Sequence, residues 1–169
     1  MLNEPAVKAI VKAGQAGNKI LICGNGGLAA ESEHFTAELV GKYGFDIYVP
    51  CFSLTSPSAL ITALGNDIGF ENVFAHQVKV LGQEGDVLIG MTTSWSKNIL
   101  NALRVGKQKG LFTILLCGFE AEEFGSVVDY VIRARNKSNT QTIQEDILHS
   151  LHELAYNVKE WLNACSKPE

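Results

Sequence analysis

The chain has 169 residues, of which 46% are apolar and 19% are charged, and its formal net charge is −4. This length suits one domain with a substantial core, and the apolar share excludes a disordered chain. The mild negative charge argues against a nucleic-acid-binding protein, which would show a basic surface. The apolar runs are too short to cross a bilayer and no secretory leader pattern opens the chain, so we expect a cytoplasmic protein.

Apolar runs alternate along the chain with segments of helical periodicity, and Gly-rich turns separate them. The predicted strands are 19–23, 47–54, 86–91, 111–117 and 127–134. The predicted helices are 28–42, 58–65, 70–81, 99–109 and 142–162, with a turn at 65–67. Pro50 favours an edge position or an irregular start for the second strand. Because strands that alternate with helices form parallel sheets covered on both faces, we predict a single α/β domain over residues 1–169. It would be a doubly wound αβα sandwich with a five-stranded parallel sheet.

The four cysteines are scattered and show no CxxC spacing. Three of them, Cys23, Cys51 and Cys117, lie in apolar runs, where a free thiol packs as a small apolar side chain. We therefore expect neither disulfides nor a cysteine-bound zinc ion.

Two polar loops follow the first and third predicted strands, GNGG at 24–27 and TTSWS at 92–96. Ligands of doubly wound sheets bind at the carboxyl ends of the strands, and a Gly-rich turn before a helix offers backbone N–H groups to an anion. Either loop alone could be a sharp turn or a helix cap, but the two together predict a phosphate pocket. A dinucleotide fingerprint is excluded because Ala29 stands where its third glycine is required, and the nucleoside-triphosphatase loop pattern is absent.

Two predicted helices carry polar residues that could meet near this pocket. His34 and Glu38 lie four residues apart on one helix face, and Gln144 and His152 lie within about 80° of each other on the last helix. Each pair alone is as well explained by surface or interface positions. We interpret His76 as structural, since no potential ligand lies near it in the sequence.

Four segments in this order resemble a known family. They are GNGGLAAESEHFTAELVGKY, LITALGNDIGFENVFAHQV, GQEGDVLIGMTTSWSKNIL and TIQEDILHSLHEL. Together they resemble the phosphoheptose isomerases of the sugar isomerase (SIS) family, from about residue 17 to the end of the last helix.

The resemblance implies roles for individual residues. Zinc would be held by His34, Glu38, Gln144 and His152, and Glu38 and His152 would also be the catalytic proton-transfer pair. Substrate would be bound by Asn25, Gly26, Gly27, Glu38, Asn66, Asp67, Thr92, Thr93, Ser94, Ser96 and Gln144, of which Thr92, Thr93, Ser94 and Ser96 would hold the phosphate. Nitrogen and oxygen donors suit zinc, and a carboxylate beside an imidazole suits proton transfer through an enediol.

The sequence also departs from the family pattern. Leu28 replaces a serine hydroxyl, Trp95 replaces a glycine in a loop one residue shorter, and Pro57 replaces an aspartate. Lys97 could supply positive charge to the phosphate instead. Family members carry an additional N-terminal helix, whereas the GNGG loop begins here near residue 24, so we expect the geometry of the oligomer to differ.

The sequence is compatible with a first function and two alternatives. The first is an isomerase that converts sedoheptulose 7-phosphate to D-glycero-D-manno-heptose 7-phosphate for cell-surface heptose synthesis. The second is a non-catalytic SIS protein, such as a factor that binds the replication initiator DnaA; it ranks lower because Glu38 and His152 are both present. The third, a transcriptional sugar-phosphate sensor, requires a helix-turn-helix domain for which the chain has no room.

The last predicted helix has an apolar face wider than a sheet requires. Ile147, Leu148, Leu151, Leu154, Val158 and Leu162 lie on this face, with Ala155 and Trp161 beside them. Together with the family resemblance, the wide face predicts a symmetric homo-oligomer, specifically a homotetramer.

Overall fold

The computed structural model describes residues 3–120 and 124–166. Its strands, β1 to β5, are Ile20–Cys23, Cys51–Ser53, Val87–Thr92, Phe112–Cys117 and Tyr130–Arg133. They form one parallel sheet in the order β2-β1-β3-β4-β5. The chain winds outward from β1 in one direction and from β3 in the other, so the switch point of the sheet lies between these two strands. The loops that follow β1 and β3 are therefore neighbours at the ligand-binding edge.

Within residues 3–120 and 124–166, six α-helices cover the sheet on both faces. They are α1 (Glu4–Gln15), α2 (Gly27–Val40), α3 (Ser58–Ile68), α4 (Val73–Leu81), α5 (Lys97–Gln108) and α6 (Thr140–Cys165), with a short 3-10 turn at Phe70–Asn72. Residues of α1, α2 and α6 pack in one buried cluster with Ile20 and Ile22 of β1. Residues of α3, α4 and α5 pack in a second cluster with Leu21 and Cys23. Successive residues of a strand thus point to opposite faces of the sheet, and both faces are covered by helices. The predicted αβα sandwich is confirmed.

The second strand is shorter than its predicted range of 47–54. It begins at Cys51, directly after Pro50, and ends at Ser53. Proline cannot donate a backbone hydrogen bond, although the Pro50 carbonyl still accepts one from the N–H of Ile20. The predicted edge position of this strand is confirmed, because β2 contacts only β1 within the sheet.

The predicted turn at 65–67 is wrong. Helix α3 continues through these residues to Ile68, so Asn66 and Asp67 lie in its last turn. The chain leaves the helix at Gly69, whose φ of 85° is a left-handed conformation that glycine adopts readily. The helical propensity of the preceding residues therefore prevails over the turn preference of the Gly-Asn-Asp sequence.

The chain has an N-terminal helix, α1, that was not among the predicted elements. Its buried residues Ala6, Val7 and Ile10 pack in the same cluster as the apolar residues of α6. Ile147, Leu151, Leu154, Ala155, Val158 and Leu162 are all buried within the single chain. Most of the width of this apolar face is thus explained by α1, α2 and the sheet within one chain, whereas Leu148 and Trp161 are only half-buried. The homo-oligomer stays a prediction.

Helix α6 spans 26 residues. Neither it nor any other helix in the described part of the chain combines the length and the apolar character that crossing a membrane requires.

Candidate active site

Two helix N-termini open side by side at the switch point of the sheet. Helix α2 starts after Gly26, which has a φ of 57° and no side chain that could cap the helix. Helix α5 starts after Ser96, whose hydroxyl does not cap it. At α2 the N–H groups of residues 28 and 29 bond backbone carbonyls, so those of Gly26 and Gly27 are left for an external acceptor. Both helix dipoles present their positive ends at this place. This arrangement can bind an anion.

A pair of amides ties the two loops together. Asn25 Nδ2 donates to Asn98 Oδ1 at 3.0 Å, and Asn98 Nδ2 donates to Asn25 Oδ1 at 2.9 Å. Asn98 is buried in the first turn of α5. Our sequence analysis missed Asn98; the only signal was an amide directly after the hydroxyl-rich loop. The reciprocal bonds fix the Gly-rich turn against the start of α5.

The hydroxyl-rich loop is held by its own hydrogen bonds. Thr92 Oγ1 lies 2.8 Å from Ser96 Oγ and also donates to the carbonyl of Ser94. Thr92 is buried, Thr93 is half-buried and Ser94 is exposed. The four predicted phosphate ligands therefore lie together at the start of α5 and differ in how far they face solvent.

The departures from the family pattern have clear structural consequences. Trp95 packs edge to face against buried Phe124, with ring centroids 5.4 Å apart, and its φ is not positive. The loop therefore follows a path that needs no glycine at this position. Leu28, in the first turn of α2, is buried in the core and lies against Gly24 of the loop. Lys97 is exposed as the first residue of α5.

A cavity of about 140 Å³ lies beside the Gly-rich turn and is lined in part by Asn25, Gly26 and Thr55. Ile61 and Phe70, which flank Asn66 and Asp67 in sequence, also line it. Asn66 and Asp67 themselves are exposed, and Asn66 Nδ2 donates to Asp67 Oδ1 at 2.8 Å. The predicted substrate residues at 66 and 67 are thus not part of the lining of this cavity.

Two histidines and a glutamate converge between α2 and α6. The Nε2 atoms of His34 and His152 are 3.0 Å apart, and they lie 3.2 and 3.4 Å from Glu38 Oε1. The His34 ring meets the His152 ring at 65°, with centroids 5.2 Å apart. Glu38 is only 6% exposed, whereas both histidines are partly open to solvent. We call these three residues the His–Glu–His cluster.

The donor atoms of the His–Glu–His cluster suit a divalent metal ion. They all lie within 4.8 Å of one another. The two imidazole nitrogens at 3.0 Å can share one proton in a hydrogen bond, or both can direct lone pairs at a shared cation. Glu38 Oε2 is buried with no hydrogen-bond partner among the described residues. Two imidazoles and one carboxylate are a donor set of catalytic zinc sites, which keep an open position.

Gln144, the fourth predicted ligand, lies between α2 and α6 but outside the His–Glu–His cluster. Its Nε2 donates to Glu31 Oε1 at 3.3 Å, and its amide covers Gly27 so closely that a Cβ there would collide with it. Eight residues of helix, or about 12 Å of rise, separate Gln144 from His152. In this structure Gln144 thus covers the start of α2, while the other three predicted ligands meet two turns further on.

A second cavity, of about 280 Å³, opens next to the cluster. It is lined by His34, Ala37, Glu38, Lys42 and Tyr43. Burial and, to a smaller extent, the negative charge of Glu38 raise the pKa of the Tyr43 hydroxyl. Tyr43 therefore stays protonated at neutral pH and can donate a hydrogen bond beside the cluster.

The other two histidines lie outside these sites. His76 is exposed on α4, and His149 lies on the exposed side of α6, where its Nε2 is 3.4 Å from Glu153 Oε1.

Comparison with known proteins agrees with this geometry. The family model described as "SIS domain" matches residues 4–118, and the chain belongs to this family. It also belongs to the phosphoheptose isomerase branch, as the four sequence motifs predicted. The phosphoheptose isomerase of Synechocystis sp. is 42% identical over 163 residues, which are 95% of this chain and 84% of that protein.

Solved structures show the same relationship. The phosphoheptose isomerase from Neisseria gonorrhoeae is 31% identical with a TM-score of 0.85, over 95% of this chain and 88% of that one. The enzyme from Francisella tularensis is 33% identical with a TM-score of 0.85, over 92% and 86% of the two chains.

Proposed function

We propose that this chain is an aldose–ketose isomerase that converts sedoheptulose 7-phosphate to D-glycero-D-manno-heptose 7-phosphate. The observation that carries the proposal is the approach of Glu38 to His34 and His152 beside two open helix N-termini. The names of its relatives support an isomerase over a non-catalytic binding protein. A non-catalytic SIS protein would have no need for a buried carboxylate aligned with two imidazoles.

The phosphate would bind where α2 and α5 begin. Backbone N–H groups of Gly26 and Gly27 and the hydroxyls of Thr93, Ser94 and Ser96 would receive it, held in register by the Asn25–Asn98 pair. Thr92 would join them only if its hydroxyl left the Ser94 carbonyl. Asn66 and Asp67 would contact the sugar from the end of α3. The helix rise from Gly27 to His34 is about 10 Å, so the reacting carbons must be distant from the phosphate. A long sugar phosphate meets this requirement, and its phosphate supplies binding energy that positions the reacting end.

The proton would move between C1 and C2 through an enediol. Glu38 would be the base: its Oε1 faces the two imidazoles, whereas its Oε2 is buried with no partner among the described residues. His152, next to Glu38, can return or relay a proton to the sugar oxygen.

We further propose that zinc binds here, one ion per active site. His34, Glu38 and His152 would hold it, and Gln144 would complete the set only if its side chain left Glu31. When bound, the ion would polarise the substrate carbonyl and stabilise negative charge on the enediolate. A homotetramer stays a prediction from the family resemblance, and a cytoplasmic location stays a prediction from the sequence pattern.

The experiment is a direct conversion assay on purified protein with sedoheptulose 7-phosphate, followed by NMR of the sugar products. Wild type should form the aldose phosphate, and E38Q should be at least about 100-fold slower, because it keeps the shape of the side chain and loses the base. Wild type that is no faster than E38Q would refute the proposal.

A further inference from the structure

Helices α2 and α6 run side by side in the same direction and make three polar contacts along their line of contact, which we call the α2–α6 seam. Gln144 bonds Glu31 at one end, and His152 meets the His–Glu–His cluster in the middle. At the far end, Lys159 Nζ donates to the carbonyl of Gly41. The three contacts follow the same order along α2 and α6, so together they fix the register of one helix on the other.

Lys159 is unusual because it is fully buried, with 0% of its surface exposed. Its ammonium donates to the Gly41 carbonyl and lies 5.7 Å from the ring centroid of Tyr48. Gly41 ends α2, where the negative pole of the helix dipole favours a cation. A lysine is buried in this way only when its partners compensate for lost hydration. Lys159 therefore holds both the end of α2 and the segment that follows it.

Lys159 is also close in space to the catalytic carboxylate. Gly41 lies three residues after Glu38, and Lys159 lies seven residues, or two helical turns, after His152 on the same face of α6. Burial lowers the pKa of Lys159, and the negative charge of Glu38 opposes that shift. The lysine and the cluster thus share one electrostatic environment, and the enediol mechanism gives Lys159 no part.

We propose that Lys159 is a positioning residue whose bond to Gly41 fixes the register of α6 on α2 and so places His152 against Glu38. A shift of about 1 Å along the seam would separate these groups, and misplacement on that scale costs catalysis severely. The catalytic consequence rests on the proposed function, whereas the positioning of the two histidines does not.

The test uses the full-length K159M variant, which keeps the length of the side chain and removes the ammonium. The matched control is K19M. Lys19 also makes a partly buried ion pair, 2.7 Å from Asp86 Oδ2, but at the start of β1, away from the seam. The imidazole 15N resonances of the four histidines are recorded without metal or substrate, and kcat and KM are then measured for each variant.

We expect K159M to shift the resonances of His34 and His152 and to leave those of His76 unchanged. K19M should shift the resonances of none of these three histidines. We expect kcat to fall about tenfold in K159M, with KM within about twofold. If K159M does not fold, K159Q, whose amide is too short to reach Gly41, must displace the same two resonances.

Unchanged His34 and His152 resonances in the folded variant would overturn the inference, as would equal displacement in K19M. Wild type that lacks isomerase activity, together with displaced resonances in K159M, would refute the proposed function alone.

Discussion

The side chains of Asn25 and Asn98 form two reciprocal hydrogen bonds, although 73 residues separate them in the sequence. They join the Gly-rich turn after β1 to the first turn of α5, which follows β3. The two helix N-termini that would receive the phosphate are therefore held by one amide pair.

Loss of this pair should weaken substrate binding more than it affects the chemical step. N98A leaves the Asn25 amide without its partner and releases the turn, so we expect KM for the sugar phosphate to rise about tenfold, or ~1.4 kcal/mol. Steady-state kinetics checks this. Asn101, on the same helix, bonds the carbonyl of Glu71 instead, and N101A should leave KM unchanged. Equal effects of the two variants would contradict the role given to Asn98.

Metal content should depend on the His–Glu–His cluster alone. We expect elemental analysis of wild type to find roughly one zinc ion per chain, and H34A to lose most of it because one of three converging donors is gone. H76A and H149A remove histidines that lie outside the cluster, so they should retain the ion. Unchanged metal content in H34A would show that the cluster is not the binding site.

The ion pair between Lys107 and Asp129 gives a prediction for acid stability. Burial by itself would raise the pKa of Asp129. The carboxylate, however, accepts hydrogen bonds from Lys107 and from the backbone and hydroxyl of Thr113, and it lies beside the positive charge of Lys107. These interactions outweigh burial and lower the pKa. A carboxyl with a lowered folded pKa stabilises the protein above its unfolded pKa, about 3.9, and this contribution is lost as pH falls through the folded value.

Wild type and D129N should thus differ most in unfolding free energy at neutral pH, and the difference should shrink below about pH 4. Denaturant unfolding of both proteins across this range measures it. A difference that grows as the pH falls would contradict the assignment.

Much of this architecture was predictable from local pattern. The strands β1, β3 and β4 are short apolar runs that end in polar loops, and their positions differ from the predicted ones by at most one residue at each end. The pairing of Glu38 with His34 follows from helical spacing. The approach of His152, 118 residues later, depends on how α6 packs against α2, and only the family resemblance indicated it.

Other features depend on tertiary contacts that local patterns do not encode. Helix α1 is stabilised by packing on α6, and the Asn25–Asn98 bonds need the sheet to bring two loops together. The bond of Gln144 with Glu31 likewise follows from the α2–α6 packing rather than from the spacing of Gln144 and His152.

The central claim is that Glu38 transfers a carbon-bound proton. The most direct measurement is deuterium incorporation from D2O into the sugar phosphate, followed by proton NMR of the C1 and C2 positions. An enediol intermediate lets the abstracted proton exchange with solvent on the base, so wild type should incorporate deuterium at the carbon next to the carbonyl. E33Q, on an exposed residue of the same helix, should do the same, whereas E38Q should incorporate at least about 100-fold more slowly. Incorporation by E38Q at the wild-type rate would contradict the account.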